Sequence, residues 1–248
     1  MTEDMNDVLL AIRNIEDNPG LPAMDGKFII YGAGNFGKDV FHAAVCKGLS
    51  VIAFLDEKAK PGDQYQGIPV FRPADFCMTL DEKENISVVL AVHNRNSELS
   101  VIIDTLKNTY GYTCVVTPVS FYNLCGDELG DRYWLTSRSY YGQHEDDIRE
   151  GFSVWADDAS RKLYQDIFKY RITGVYGNPS VPDLKCQYVP ADIPPWNKPL
   201  RFVDCGAYDG DTVRQFLKMC LPIQALAAFE PDSDNFGKLT RFIGEKNI

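Results

Sequence analysis

At 248 residues, 45% hydrophobic and 24% charged, the chain has ordinary globular composition and room for one large domain or two smaller ones. Lys and Arg total 25 against 35 Asp and Glu, a net charge of −10, and no basic run offsets it, which argues against a nucleic-acid partner. Seven cysteines without C-x-x-C spacing and three scattered histidines supply no metal-ligand set, so reduced thiols and no metal are expected.

The N-terminus is acidic where a signal peptide would be basic, and no apolar run approaches the ~18 residues that cross a bilayer. A cytoplasmic protein without membrane attachment is therefore expected. Residues 6–17 carry Val8, Leu9, Ile12 and Ile15 at helical spacing, and Asn18-Pro-Gly20 ends the run. A short apolar strand over residues 27–31 runs into Gly32-Ala-Gly34-Asn-Phe-Gly37, then a helix through Cys46, then a strand over 51–55 that ends on Asp56. Strand, G-x-G-x-x-G turn, helix, strand and acid in that order form a dinucleotide-binding fingerprint in its proper context. The helix N-terminus beyond the turn offers free N–H groups to a phosphate, which suits NAD and a nucleotide-sugar alike. A domain used only for packing or dimerisation would need the same glycines, so a homo-oligomer stays open.

The segments Ile29-Ile-Tyr-Gly-Ala-Gly-Asn-Phe-Gly-Lys38, Ala53-Phe-Leu-Asp56 and Gly67-Ile-Pro-Val70 resemble the N-terminal nucleotide-sugar-binding domain of sugar O-acyltransferases. The resemblance implies ligand contacts at Gly32, Gly34, Gly37 and Asp56. The acyltransferases' catalytic repeat domain has no counterpart here, so acyl transfer is not implied.

Residues 87–92 form an apolar strand, and His93-Asn-Arg-Asn-Ser97 leads from it into a helix reaching about Asn108. His93 and Arg95 could touch a phosphate or a sugar there, though polar loops after strands are common. Residues 112–117 close the sheet, and 118–124 form a short helix or turn. Aromatics then gather at Tyr133, Trp134, Tyr140 and Tyr141, read as interface packing. Residues 157–172 make one amphipathic helix. Prolines 179, 182, 190, 194, 195 and 199 mark an extended crossing.

The crossing delivers the chain to Phe202-Val-Asp-Cys-Gly-Ala-Tyr-Asp-Gly-Asp-Thr212, answered by Phe229-Glu-Pro-Asp-Ser-Asp-Asn-Phe-Gly-Lys-Leu239. The first reads as strand, glycine turn and helix, with Gly206 and Gly210 freeing the backbone and Thr212 with Gln215 fitting a capping box. Cys205 reads as a small buried residue, and Asp209 and Asp211 as turn and helix-start residues. A second buried strand over 225–229 places Glu230 at its carboxyl end, where open α/β sheets bind ligands. The two segments resemble the opening of FkbM-type methyltransferases, which use S-adenosylmethionine (SAM) to methylate hydroxyl groups, often on sugars. The resemblance implies that Asp204 and the backbone from Gly206 to Gly210 hold the methionine end of SAM and that Glu230 holds its ribose. Family members continue into further strands that form the acceptor side, so it also implies a fragment lacking that half, with no general base to name.

The expected architecture is α/β: a Rossmann-like parallel sheet over 1–126, a helical and Pro-rich connector over 127–198, and the first βαβα part of a class I methyltransferase fold over 199–248. The expected activity is SAM-dependent O-methylation of a small-molecule or glycan acceptor. The alternative is a non-enzymatic module for a nucleotide-sugar or dinucleotide. An NAD-linked oxidoreductase has no Tyr-x-x-x-Lys or similar hydride-site signature in its favour.

Overall fold

In the computed structural model the described residues are 3–13, 26–92, 97–132, 134–177, 188–190 and 198–246. They fall into two compact units, residues 1–180 and 181–248. His93, Arg95, Tyr133 and most of the Pro-rich crossing lie outside the described residues.

The first unit opens with helix α1 (Glu3–Arg13), strand β1 (Lys27–Tyr31), helix α2 (Asn35–Cys46) and strand β2 (Ser50–Leu55). A hairpin of β3 (Gln64–Tyr65) and β4 (Ile68–Phe71) follows, then short α3 (Leu80–Glu84) and β5 (Ser87–Leu90). Helix α4 (Leu99–Asp104) passes into a π-helical turn at Thr105–Thr109, and β6 (Cys114–Val116) completes the sheet. The strand order is β3-β4-β2-β1-β5-β6, parallel except for the β3-β4 hairpin. The chain thus leaves β1 at its central strand and returns on both sides of it. That reversal between β1 and β5 is the topological switch point, and the glycine turn after β1 sits there.

Strand periodicity divides the core into two layers. Phe28 and Ile30 of β1 face one layer with Val40, Phe41 and Ala44 of α2, together with Phe121 and Cys125 of α5 (Pro118–Leu129). Ile29 faces the other with Leu55, Val88, Leu90, Leu106 and Tyr112. Large side chains such as Phe28, Phe54 and Phe121 are almost completely buried, each contributing roughly 1.5–3 kcal/mol by removal of apolar surface from water.

Helices α6 (Arg138–Gln143), α7 (Glu145–Ser153) and α8 (Asp158–Thr173) continue the first unit. Tyr141, Ile148 and Ile172 bury Met5, Val8, Leu9 and Ile12 of α1 in a separate cluster. The stretch around residue 126 follows a kink at Cys125 (φ −123°, ψ 27°), beyond which α5 resumes and runs on to Leu129. Helix α8 is capped by Asp157, whose side chain accepts from the Ser160 N–H, and ends at Gly174 in left-handed conformation. There the Gly174 carbonyl accepts from Thr117 Oγ1 at 2.8 Å. A Cβ on Gly174 would stand 2.0 Å from Ser120 Oγ, so the end of α8 fits on the start of α5 only as glycine.

In the second unit β7 (Leu200–Cys205), α9 (Asp211–Lys218), β8 (Ile223–Phe229) and α10 (Ser233–Lys246) form a βαβα unit with the two strands parallel. One sheet face is covered, with Phe202 against Phe216 of α9 at 5.2 Å between ring centroids. The other is open, leaving Val203 62% and Phe229 60% exposed. Two sequence expectations are corrected by this. The strand ending at Phe229 has no buried residue, with Leu226 and Ala228 only half-buried between exposed neighbours, and Cys205 is exposed. Both follow from period-2 alternation in a two-stranded sheet with helices on a single face.

The glycines of the first turn differ in what a side chain would meet. A Cβ on Gly37 would lie 2.0 Å from the Gly32 carbonyl oxygen, while on Gly34, at φ −72°, it would meet nothing within 4 Å. Gly37→Ala is therefore expected to lower the stability of the first unit by about 2–3 kcal/mol through overpacking. Gly34→Ala should cost no more than about 1 kcal/mol, the usual loss on placing Ala at an N-cap. Urea unfolding of the two variants checks the contrast.

Candidate functional site

Two clusters emerge, one in each unit, built on the same plan. In the first unit Gly32, Gly34, Gly37 and Asp56 come together at the carboxyl ends of β1 and β2. Gly32 has φ +108° and donates its N–H to the Leu55 carbonyl at 2.7 Å. Asp56 Oδ2 accepts from the Ala33 N–H at 2.9 Å, and Oδ1 from the Lys58 N–H at 2.9 Å. The strand-end acid thus bridges to the glycine turn of the neighbouring strand. Tyr31, the last residue of β1, donates to Glu57 Oε1 at 3.3 Å. Burial first, and the Glu57 charge second, push its phenol up to about 12, so it stays neutral.

The start of α2 is walled by the segment after α5. Trp134 meets Phe36 edge-on at 4.8 Å, and Arg132 pairs with Asp39 at 2.8 Å. The sequence reading placed Trp134 at a domain junction, whereas this contact lies within the first unit. It gave no sign that the partner would be the residue before Gly37.

In the second unit Asp204, Gly206, Gly210 and Glu230 come together in the same way. Gly206 (φ +86°) and Ala207 both donate to the Phe229 carbonyl, at 2.8 and 2.9 Å. Glu230 Oε2 accepts from the Tyr208 N–H at 2.7 Å, and Oε1 from the Asp232 N–H at 3.0 Å. Two backbone bonds, one to the turn and one two residues ahead, repeat the arrangement at Asp56. A Cβ on Gly206 would meet nothing within 4 Å, while on Gly210 it would come within 2.6 Å of the Phe242 ring. Gly206 therefore faces open space and Gly210 is held by packing.

The expected capping box is absent. Gly210, left-handed at φ +90°, is the N-cap without a side-chain cap bond, and α9 starts at Asp211. Thr212 is thereby the second residue of the helix, two positions past the cap, and its side chain bonds Asp204 instead. Asp209 is more than a turn residue, since Arg214 Nη1 donates to its Oδ1 at 2.8 Å and Nη2 to its carbonyl at 2.6 Å. The Arg214 guanidinium also lies over the Phe242 ring, 4.6 Å from the centroid.

Asp204 stands apart electrostatically. Its Oδ2 is shut off from water with no hydrogen-bond partner among the described residues. Burial, and secondarily the charge of Asp211, raise its pKa against the opposing bond from Thr212. A carboxylate in that position disfavours its own ionisation unless a positive charge arrives.

Residues 27–102 match the family described as PglD N-terminal domain. In fold the whole chain is similar to the crystal structure of Methyltransferase FkbM from Methylobacillus flagellatus KT, with a TM-score of 0.74 at 17% identity. That match covers 98% of this chain and 69% of the other. No curated protein matches the chain. The architecture is therefore that of an α/β protein with a Rossmann-like first unit and a methyltransferase-like fold. Both resemblances read from the sequence, to the acyltransferase N-terminal domain and to FkbM-type methyltransferases, reappear in these matches. Among the described residues no helix is long and apolar enough to cross a membrane, and no group of three or more His, Cys, Asp or Glu is placed to hold a metal ion.

The raised pKa of Asp204 has a consequence for the ligand-free chain. An acid whose folded pKa exceeds its unfolded value adds stability that is complete below the unfolded pKa and is lost as pH rises through the folded one. Asp204→Asn should therefore stabilise the chain more at pH 7 than at pH 4. Urea midpoints of wild type and variant at both pH values check the sign.

Proposed function

We propose that the protein is a SAM-dependent O-methyltransferase whose acceptor is a sugar or related hydroxyl compound, a small molecule or a glycan. The observation that carries this reading is the buried oxygen of Asp204, without a hydrogen-bond partner among the described residues, adjoining a glycine turn that opens to free space at Gly206. SAM carries an ammonium and a sulfonium, and a cation beside Asp204 would supply the missing partner and offset the burial of its charge. Each oxygen of Glu230 accepts one backbone N–H and keeps further lone-pair capacity for a ribose hydroxyl. Asp204 and the backbone from Gly206 to Gly210 would then hold the methionine end, and Glu230 the ribose. The likeness in fold to a solved methyltransferase supports the same reading.

SAM, when bound, supplies a methyl group activated by a positive sulfur. What this chain contributes is alignment, because the acceptor oxygen must approach in line with the departing sulfur and positioning supplies much of the rate. The glycine turn, pinned to β8 through Phe229 and Glu230, is the rigid element that sets that line.

Calorimetry of the chain with SAM tests the proposal. Saturable binding is expected, and Glu230→Ala should weaken it tenfold or more, since each charge-assisted bond to the ribose is worth on the order of 1.5–3 kcal/mol. No heat with SAM, or indifference to Glu230→Ala, would overturn it.

A second reading, a binding module for a nucleotide-sugar or dinucleotide such as NAD, is favoured by one observation in the first unit. Gly34 begins a 12-residue helix and has empty space where a side chain would be, the arrangement that lets a phosphate approach free N–H groups. Gly34, with Gly32, Gly37 and Asp56, would form that site. Gly34→Val should abolish binding of a UDP-sugar or NAD while the urea midpoint stays near wild type. Unmodified chain that binds neither ligand would make the first unit structural.

A further inference from the structure

The buried face of α9 is made by Thr212, Val213 and Phe216. Valine and threonine have similar helix propensity, so packing at position 212 would be served without a hydroxyl. A hydroxyl buried there costs free energy unless it is bonded, and the helix itself does not use this one. The Thr212 N–H goes to Asp211 Oδ1 at 3.1 Å. Thr105, Thr173 and Thr240 turn their hydroxyls to the carbonyl four residues back. The hydroxyl of Thr212 crosses instead to Asp204 near the carboxyl end of β7.

That bond leaves the two oxygens of Asp204 unequal. Oδ2 has no hydrogen-bond partner among the described residues, so the Thr212 hydroxyl falls on Oδ1. A carboxylate has about four lone-pair sites, and one neutral donor fills only one of them. The carboxyl group is held in place without its charge being quenched. The charged groups around it do not complete it: Asp211 opposes its ionisation, Asp209 is paired with Arg214, and Glu230 already accepts two backbone N–H groups. Thr212 is the group that favours the ionised form.

We propose that Thr212 is a positioning residue of the SAM site, whose hydroxyl holds one oxygen of Asp204 so that the other meets the cationic methionine end of SAM. This rests on the methyltransferase reading and adds a pH dependence to it. Asp204 attracts a cation only when charged, so SAM affinity falls as pH drops through the range in which Asp204 takes up a proton. A donor to the carboxylate lowers that range, and removing the donor raises it.

The test measures SAM dissociation constants by calorimetry from about pH 4 to pH 8, on the full chain as wild type, Thr212→Val, Thr212→Ala, Thr212→Ser, Asp204→Asn and Glu230→Ala. Thr212→Val and Thr212→Ala should weaken SAM about tenfold at pH 7, the loss of one hydrogen bond to a charged group, and should move the acid fall-off to higher pH. Thr212→Ser should match wild type within about twofold, fall-off included, because the hydroxyl remains. Asp204→Asn should bind weakly at every pH and show no fall-off. Weakening that is the same at every pH, or that Thr212→Ser shares, would make the threonine a packing residue and overturn the inference. An Asp204→Asn profile parallel to wild type would do the same. Wild-type binding by Thr212→Val and Thr212→Ala, with weak binding by Glu230→Ala, would overturn it and leave the methyltransferase reading standing. Wild type that gives no heat with SAM would take both down together.

Discussion

In each unit a carboxylate at the end of the second parallel strand reaches back to the glycine turn that follows the first. Asp56 takes the Ala33 N–H and Glu230 takes the Tyr208 N–H. Each carboxylate also accepts the N–H two residues ahead of itself, from Lys58 and from Asp232. Hydrogen bonds with one ionised partner are roughly twice as strong as neutral ones. A single side chain therefore sets the separation of the two strand ends and the shape of the turn between them. The glycines decide which conformations the turn can adopt, and the acid selects one of them. The space left at Gly34 and at Gly206 exists because the turn is held open from the side.

The two sites differ in what remains unbalanced once the turn is fixed. In the first, the start of α2 presents free N–H groups, and the acid's bonds are shared between the turn and its own loop. That is a setting for an anion. In the second, Asp209 is neutralised by Arg214, while Asp204 keeps a buried oxygen with no partner among the described residues. Surplus negative charge in a shielded position is a setting for a cation. The same backbone plan thus favours ligands of opposite charge, and the difference lies in a few side chains around the turn.

Much of this was legible in the sequence because it rests on local rules. Lys27–Tyr31 is a strand with the expected bounds, the long helix expected over 157–172 spans Asp158–Thr173, and Asp56 and Glu230 fall at strand ends as the apolar runs imply. The rest depends on residues distant in the chain or on the wrong local pattern winning. Thr212 and Gln215 have capping-box spacing, but Gly210 takes the cap position by turning left-handed, a choice favoured by Phe242 filling the space of its missing side chain. The hairpin at Gln64–Phe71 went unread because its loop is Gln66-Gly67, both at positive φ, where the usual sequence mark of such a turn is Asn-Gly or Asp-Gly. Cys205 and Phe229 defied the buried reading because an apolar strand reveals nothing of how many faces its sheet will have covered. Arg214 could not be assigned from spacing, since its bonds to Asp209 require the intervening turn to fold first.

The central claim is that the second unit's turn, and not the first's, receives SAM. Amide hydrogen exchange of the full chain with and without saturating SAM tests it most directly. The account predicts slowed exchange in residues 204–210 and 230–232, with the amides of residues 32–38 unchanged. Protection confined to residues 32–38 and 56–58 would contradict it.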